Sequence, residues 1–171
     1  MNNRIRAGIG FDSHPLVAGR KLVLGGVEIP FAKGLEGWSD ADVLTHAVMD
    51  ALLGAAALGD IGVHFPPGEA KYQGISSLVL LQKVKEKLAQ NGWRVGNIDA
   101  TLVAEKPRLR DFIDDMRRNL SQALGINIDC VSVKASTSNR LGAIGREEGI
   151  AVYAVVLIEG GNNANIQHSL R

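Results

Sequence analysis

An aspartate and a histidine two residues apart, Asp12 and His14, stand just past a predicted β-strand over residues 4–11. In extended backbone, side chains at positions i and i+2 point to the same side, so this carboxylate and imidazole can share one cation. The segment Asp-Ser-His-Pro is also ordinary turn chemistry. Taken alone, this pair of residues is compatible with a metal site and with an ordinary turn.

His46 lies in the middle of a predicted helix over residues 40–58, which is rich in Ala and Leu. Asp42 and Asp50 stand four residues before and after it, on the same stripe of that helix. Carboxylates at such positions can fix the ring of a metal-binding histidine. The alternative is a helix-surface histidine with two weak ion pairs.

Two imidazoles and one carboxylate, from Asp12, His14 and His46, would leave one coordination position of a zinc ion open. That donor set is typical of catalytic rather than structural zinc. The remaining histidines, His64 in a loop and His168 near the C-terminus, have no carboxylate or histidine at ligand spacing. We expect both to be solvated.

Two further segments carry groups that bind phosphate. A polar run follows a predicted strand, near Lys134 and Arg146, and consists of Ser136, Thr137, Ser138 and Asn139. Its hydroxyl and backbone N–H groups can hold phosphate oxygens, although a solvated turn is an equal alternative. The second is a basic cluster around Pro107, formed by Lys106, Arg108 and Arg110. Three cations suit one or two phosphates, or a solvated loop, and are too few to indicate a nucleic-acid site.

The elements that must position these groups can be read from periodicity. In the strand over 4–11, one side carries the residues Ile5, Ala7, Ile9 and Phe11, which predicts one covered face. Residues 21–30 predict two short strands hinged at Gly25-Gly26. Ser39, three residues ahead of Asp42, indicates a capping box at the start of the long helix.

The C-terminal half alternates helices and strands. Helical spacing predicts a second helix that stops at Asn91-Gly92 and a third over about 111–124, which stops at Gly125. Strands are predicted at residues 97–105, 130–136 and 149–159. This order favours an α+β fold with helices on one face of a mixed sheet.

Composition sets broader limits. The 171 residues are 46% hydrophobic and carry 19 Lys+Arg against 18 Asp+Glu, a net charge of +1. That size favours a single domain, over residues 1–159, with a mobile tail at 160–171. The neutral balance indicates neither a nucleic-acid nor a membrane partner. One cysteine excludes an internal disulfide, and without a long apolar stretch or leader we expect a cytoplasmic protein.

Four segments carry a family resemblance: FDSHP (11–15), LGGVEIP (24–30), and residues 39–66 and 133–151. Together they resemble the 2-C-methyl-D-erythritol 2,4-cyclodiphosphate synthase family, across residues 4–159. Members act in non-mevalonate isoprenoid biosynthesis. They convert the CDP-linked substrate, 4-diphosphocytidyl-2-C-methyl-D-erythritol 2-phosphate, to a cyclic diphosphate plus CMP. The resemblance implies a homotrimer with interfacial active sites and a mixed four-stranded sheet backed by helices.

The resemblance also implies a set of site residues. It places Zn²⁺, one per chain, on Asp12, His14 and His46, and a second ion, Mg²⁺ or Mn²⁺, on the substrate diphosphate. Thr137 would stabilise the transferring phosphates. The remaining substrate-binding residues implied are Trp38, Ser39, Asp60, Ile61, Gly62, Phe65, Glu69, Ala104, Lys106, Pro107, Arg108, Leu109, Arg110, Ser136, Asn139 and Arg146.

The chain departs from the family pattern at several of these positions. Trp38 stands where the family usually has a histidine that is credited with transition-state stabilisation. The loop FPPGEA retains Glu69 as its only carboxylate, and Asn139 stands where a glutamate commonly helps to hold the second cation. Ala143 replaces an aromatic residue that often lines the trimer axis, while Arg146 is retained. We expect cyclase activity with altered divalent-ion dependence.

Two other functions stay open from the sequence. A zinc phosphoesterase would use the open coordination position to activate water and would give a linear product. A non-catalytic trimeric scaffold would bind an isoprenoid diphosphate through Arg146, with structural zinc. Product analysis separates the first from a cyclase, and zinc binding without CMP release would favour the second.

Overall fold

The computed structural model describes residues 4–160. Apart from Gly160, the tail predicted to be mobile lies outside these residues, and so does His168. The strands, in chain order, are Ile5–Ala18 (β1), Leu22–Leu24 (β2), Val27–Ile29 (β3), Lys33–Leu35 (β4), Trp93–Val103 (β5), Val131–Ser136 (β6) and Gly149–Gly160 (β7). The α-helices are Val43–Ala55 (α1), Ile61–His64 (α2), Ser77–Gln90 (α3), Ile113–Leu124 (α4) and Gly142–Gly145 (α5).

The main sheet is mixed and has the strand order β4-β1-β7-β5-β6. Only β5 and β6 run parallel, joined by a crossover through α4, and the other neighbours are antiparallel. The expectation of four strands is wrong, because this sheet has five. The fifth, β4, pairs three residues with the end of β1, and a strand so short shows no periodicity in the sequence.

One face of this sheet packs against helices, as the sequence predicts. Along β7, Ile150, Val152, Ala154, Val156 and Ile158 are buried beneath them. The side chains between these point to the opposite face, the uncovered face, which is largely exposed in the protomer. On that face the exposed large apolar residues are Ile5, Ile9, Phe11, Tyr153, Val155 and Leu157.

The covered face of β1 is the reverse of the one expected. Ile9 is 71% exposed, whereas Gly8 and Gly10, on the other side of the strand, lie directly beneath α1. A Cβ atom at Gly8 would stand 2.0 Å from the Ala51 carbonyl oxygen, and one at Gly10 would stand 2.0 Å from that of Ala47. The missing side chains therefore let α1 approach the strand closely.

Local signals set the ends of the helices. Asp42, not Ser39, is the N-cap of α1, because its carboxylate accepts the Thr45 N–H at 3.1 Å. The predicted capping box is therefore wrong, and the helix is shorter than 40–58. Gly125 ends α4 in the left-handed conformation, as expected. Both hinge glycines of the β2–β3 hairpin, Gly25 and Gly26, have positive φ.

The irregular segment over 59–74 contains α2 and the 3₁₀ turn Ala70–Tyr72. Two more 3₁₀ turns, Arg110–Phe112 and Ile128–Cys130, flank α4. Within residues 4–160, no helix is long and apolar enough to cross a membrane.

Candidate active site

The three predicted metal ligands converge where β1 passes beneath α1. Asp12 Oδ2 lies 3.0 Å from His14 Nε2 and 3.0 Å from His46 Nδ1, and the two nitrogens are 3.3 Å apart. Asp12 and His14 lie inside β1 rather than past its end, since this strand continues to Ala18. Within residues 4–160, this is the one group of three such side chains with metal-ligand spacing.

Hydrogen bonds on the outer side of each ring leave the inner nitrogens to face one another. His14 Nδ1 lies 2.5 Å from the carbonyl oxygen of Glu36, which can only accept, so Nδ1 carries the proton. On the other ring, His46 Nε2 lies within 3.2 Å of the hydroxyls of Ser39 and Ser77. Such outer partners commonly fix the tautomer of a metal-binding histidine.

The residues present fit zinc. Two imidazole nitrogens and a carboxylate oxygen are its usual donors, and tetrahedral ligands at about 2.0–2.1 Å from zinc stand about 3.3 Å apart. The three distances measured here are close to that value. When neither inner nitrogen carries a proton, the lone pairs and the carboxylate repel one another, and a bound cation relieves this repulsion.

The site also shifts the ionisation of its own groups. Burial would raise the pKa of Asp12, but hydrogen bonds and charge from His14 and His46 outweigh it, and the pKa is lowered. Burial would lower the pKa of His14, but the hydrogen bond and negative charge of Asp12 outweigh it, and the pKa is raised. A metal ion must therefore compete with the proton that Asp12 helps His14 to hold.

The expected role of the flanking carboxylates is wrong. The Asp42 carboxylate accepts from the backbone N–H groups of Gly25 and Gly26 and from Thr45, and makes no hydrogen bond to the His46 ring. Asp50 accepts from the N–H of Ile61 at 2.8 Å. Backbone donors at a helix start and a hairpin thus hold both carboxylates.

An apolar cavity of about 270 Å³ opens beside the three ligands. Five of the residues predicted to bind substrate line it: Trp38, Ser39, Ile61, Gly62 and Phe65. Its other walls are Met49, Pro67, Tyr72 and Leu80, which the sequence reasoning missed. A small polar end next to an apolar wall suits a ligand that carries both charge and carbon skeleton.

A second cavity, of about 400 Å³, shares no lining residue with the first. Eight of the residues predicted to bind the substrate or its phosphates line it: Ala104, Lys106, Pro107, Arg108, Leu109, Arg110, Ser136 and Thr137. Leu109 and Ala104 are themselves buried, so they shape the wall rather than reach into the space. Ser136 and Thr137 of the polar run therefore share one surface with the basic cluster.

A sequence profile of the YgbB family matches residues 5–159. The chain belongs to the YgbB family. A relative from Dehalococcoides mccartyi, named 2-C-methyl-D-erythritol 2,4-cyclodiphosphate synthase, is 59% identical over 155 residues, covering 91% of this chain and 99% of that relative. The family resemblance stated from the sequence segments is thus confirmed, and the YgbB chain is a member of a synthase family.

Two solved structures share the fold. The bifunctional IspDF from Campylobacter jejuni superposes with a TM-score of 0.90 at 40% identity. That match covers 93% of the YgbB chain and 43% of the Campylobacter protein. IspF from Plasmodium falciparum, solved as a CDP complex, superposes with a TM-score of 0.82 at 30% identity, covering 95% of this chain and 100% of that one.

Four of the site residues implied by the family resemblance line neither cavity. The Asp60 carboxylate caps α2 through the Val63 N–H at 3.0 Å. Glu69 pairs with Lys71, and Arg146 pairs with Glu148. Asn139, with φ of +53°, contacts Thr137 at the edge of the second cavity.

His64 also differs from its expected state. It is half-buried, and its Nε2 lies 2.8 Å from the carbonyl oxygen of Leu58. The ring is therefore less solvated than expected, and His64 does not belong to the metal-ligand group.

Sequence reasoning also missed Glu105 in the wall of the second cavity. One of its oxygens accepts three hydrogen bonds, from Ser138 N–H and Oγ and from Arg140 N–H, at 2.9–3.0 Å. These bonds, led by the one from Arg140, outweigh partial burial and lower the pKa of Glu105. The sequence did offer one indication of this role, because Glu105 is an acidic residue within a basic cluster.

Proposed function

We propose that the chain converts 4-diphosphocytidyl-2-C-methyl-D-erythritol 2-phosphate to 2-C-methyl-D-erythritol 2,4-cyclodiphosphate and CMP. In this reaction an oxygen of the 2-phosphate attacks the β-phosphorus, the bond from that phosphorus to the bridging oxygen breaks, and CMP leaves with the electron pair. The enzyme is then a CMP-releasing phosphorus–oxygen lyase of non-mevalonate isoprenoid biosynthesis. The names of its relatives support this assignment.

The observation that carries the proposal is the convergence of Asp12, His14 and His46 beside an apolar cavity. These three side chains would hold Zn²⁺, and the substrate diphosphate would carry Mg²⁺ or Mn²⁺. Bound divalent cations neutralise the phosphates and align them for in-line transfer. No protein nucleophile is needed, because the attacking oxygen is already an anion.

The chain's own residues bind and orient the substrate. In the first cavity, the Ser39 hydroxyl faces the polar end, while Ile61 and Phe65 present apolar surface to the methylerythritol carbons. In the second cavity, the Lys106 and Arg108 side chains suit a diphosphate, and the exposed Thr137 hydroxyl can hydrogen-bond to the transferring phosphate. Trp38 closes one side of the first cavity, where its indole N–H donates to the Glu69 carbonyl oxygen at 3.0 Å.

A homotrimer would bring the two cavities together across subunit interfaces. Six large apolar side chains on the uncovered sheet face are 40–71% exposed in the protomer. Contiguous apolar surface of this kind marks an interaction site. We propose that this face packs against other copies of the chain and that the second cavity of one copy completes the first cavity of its neighbour.

The test is incubation with the diphosphocytidyl substrate and Mg²⁺, followed by phosphorus NMR. The intact protein should release CMP and form the cyclic diphosphate, and His46→Ala should bind no zinc and release no CMP. His64→Ala is the matched control, because His64 lies outside the metal-ligand group, and it should behave as the intact protein. A linear phosphate product would establish a phosphoesterase instead, and equal turnover by His46→Ala would refute the zinc assignment.

A further inference from the structure

Behind His46 lies a fully buried hydroxyl that the proposed reaction does not use. Ser77, the first residue of α3, has no exposed surface, and its Oγ lies 3.0 Å from His46 Nε2. The same Oγ lies 2.5 Å from Asp40 Oδ1, while Asp40 Oδ2 accepts the Ser77 backbone N–H at 2.9 Å. A carboxylate, a hydroxyl and an imidazole thus form a hydrogen-bond network that ends at the metal-ligand group.

The number of available hydrogens determines which group donates in each of these hydrogen bonds. A serine hydroxyl has one hydrogen, and an ionised carboxylate can only accept. The Ser77 hydrogen therefore points to Asp40, so Ser77 Oγ offers His46 only a lone pair. Toward Ser77, His46 must then donate from Nε2. Nδ1, which lies 3.0 Å from Asp12 Oδ2, is then the nitrogen whose lone pair is left for a cation.

We propose that Asp40, acting through Ser77, is a positioning residue that holds His46 in the tautomer able to bind the metal through Nδ1. This inference rests on the metal site of the proposed function and adds two residues to it. Asp40 touches neither the three ligands nor the substrate cavity. The hydrogen bonds that link it to His46 run through the Ser77 hydroxyl.

Ser39 provides the contrast. Its Oγ also approaches His46 Nε2, at 3.2 Å, but its hydrogen-bond partner on the other side is the Ala41 N–H, which donates. Among the described contacts, no acceptor other than His46 fixes the Ser39 hydrogen. Ser39 can therefore turn that hydrogen toward the cavity or toward His46, and it does not select a tautomer.

Asp40→Asn should reverse the direction of the hydrogen bonds between residue 40, Ser77 and His46. An asparagine there keeps the strong bond from the Ser77 N–H only if its carbonyl oxygen replaces Oδ2. Its NH₂ group then replaces Oδ1, at the cost of the weaker 3.3 Å contact with the Asp42 N–H. That NH₂ donates to Ser77 Oγ, so the Ser77 hydrogen turns to His46 Nε2 and the proton on His46 moves to Nδ1, which blocks the metal.

The experiment measures zinc affinity by competition with a chelator, using the full chain and Zn²⁺ alone as the probe. We expect Asp40→Asn to bind zinc about 10–100-fold more weakly, the range for losing an outer partner of a ligand histidine. Ser77→Ala removes the hydroxyl that misdirects the proton. The double variant D40N/S77A should therefore bind zinc more tightly than D40N alone, at the level of S77A. In metal-free D40N, ¹⁵N NMR should find the His46 proton on Nδ1.

Each outcome decides the inference. Wild-type affinity in D40N, a double variant as weak as D40N or weaker, or a His46 proton that stays on Nε2 would overturn it. If D40N does not fold, the comparison of S77A with S39A decides. S77A should lose about tenfold in affinity and S39A less than about twofold, and an equal or reversed order would overturn the inference. An intact protein that binds no zinc would refute the proposed metal site itself.

Discussion

Gly10→Ala should break the contact on which the site is built. A Cβ at this position would stand 2.0 Å from the carbonyl oxygen of Ala47 and 2.7 Å from the N–H nitrogen of Ala51, both in the backbone of α1. Ordinary van der Waals contact begins at 3.4 Å. Helix backbone cannot yield as a flexible side chain can, so α1 must move away from β1 by more than 1 Å.

The size of the effect follows from this geometry. Overpacking a tightly packed interior costs about 1–3 kcal/mol, and a clash with backbone belongs at the upper end, about 3 kcal/mol. For a chain of this length, that loss corresponds to a melting temperature lower by about 6–12 °C. The shift also acts on the metal site, because Ala47 adjoins His46 and Gly10 lies two residues before Asp12. A displacement of about 1 Å there should slow CMP release by about 100-fold.

The assay compares calorimetric melting and CMP release at one protein concentration, with Gly54→Ala as the matched control. Gly54 lies in the same helix, is exposed, and has no atom within 4 Å of the position a Cβ would take. Alanine there should stabilise the helix by about 0.5–1 kcal/mol and leave activity unchanged. Wild-type melting and turnover in Gly10→Ala would refute the close approach of α1 to β1.

Three further predictions test other parts of the molecule. In metal-free protein, the raised pKa of His14 gives stability that is lost as pH rises above 6.5, and the lowered pKa of Asp12 gives stability that is lost as pH falls below 3.8. The melting temperature in chelator should therefore fall between pH 6 and pH 8, whereas zinc affinity should rise; a flat profile would contradict the coupling. Ile9→Glu places a charge on the uncovered sheet face and should yield monomers by light scattering, and an unchanged mass would exclude this face as the interface. Glu105→Ala frees the Ser138–Arg140 loop and should raise KM about tenfold, because charge-assisted hydrogen bonds are lost. Zinc content should stay unchanged, and an unchanged KM would mean that other contacts hold the loop.

Much of the fold follows from local signals. The β2–β3 hairpin, the end of α4 and the three strands of the C-terminal half needed only glycine positions and periodicity. The strand β4 was missed because three residues carry no period. The start of α1 was misplaced because Ser39 and Asp42 are both good caps, and only the tertiary structure shows which one accepts from the first turn.

The site was harder to complete than to locate. The ligand types and the spacing of Asp12 and His14 sufficed to nominate the metal group. The orientation of His46 did not follow from its helical neighbours, because Asp42 and Asp50 are held by backbone N–H groups instead. Its actual partner, Ser77, lies 31 residues away in sequence, and no local pattern indicates a contact over that distance.

One error could have been found from the sequence itself. Strand residues two apart share a face, so Gly8, Gly10, Asp12 and His14 lie on one side of β1, and Ile5, Ile9 and Phe11 lie on the other. Had a helix covered the apolar side, Asp12 and His14 would point away from it, and His46 could not meet them. The metal hypothesis therefore required α1 to lie over the glycines and left the apolar side to pack elsewhere. The same alternation thus places the metal site on one face and the proposed subunit interface on the other.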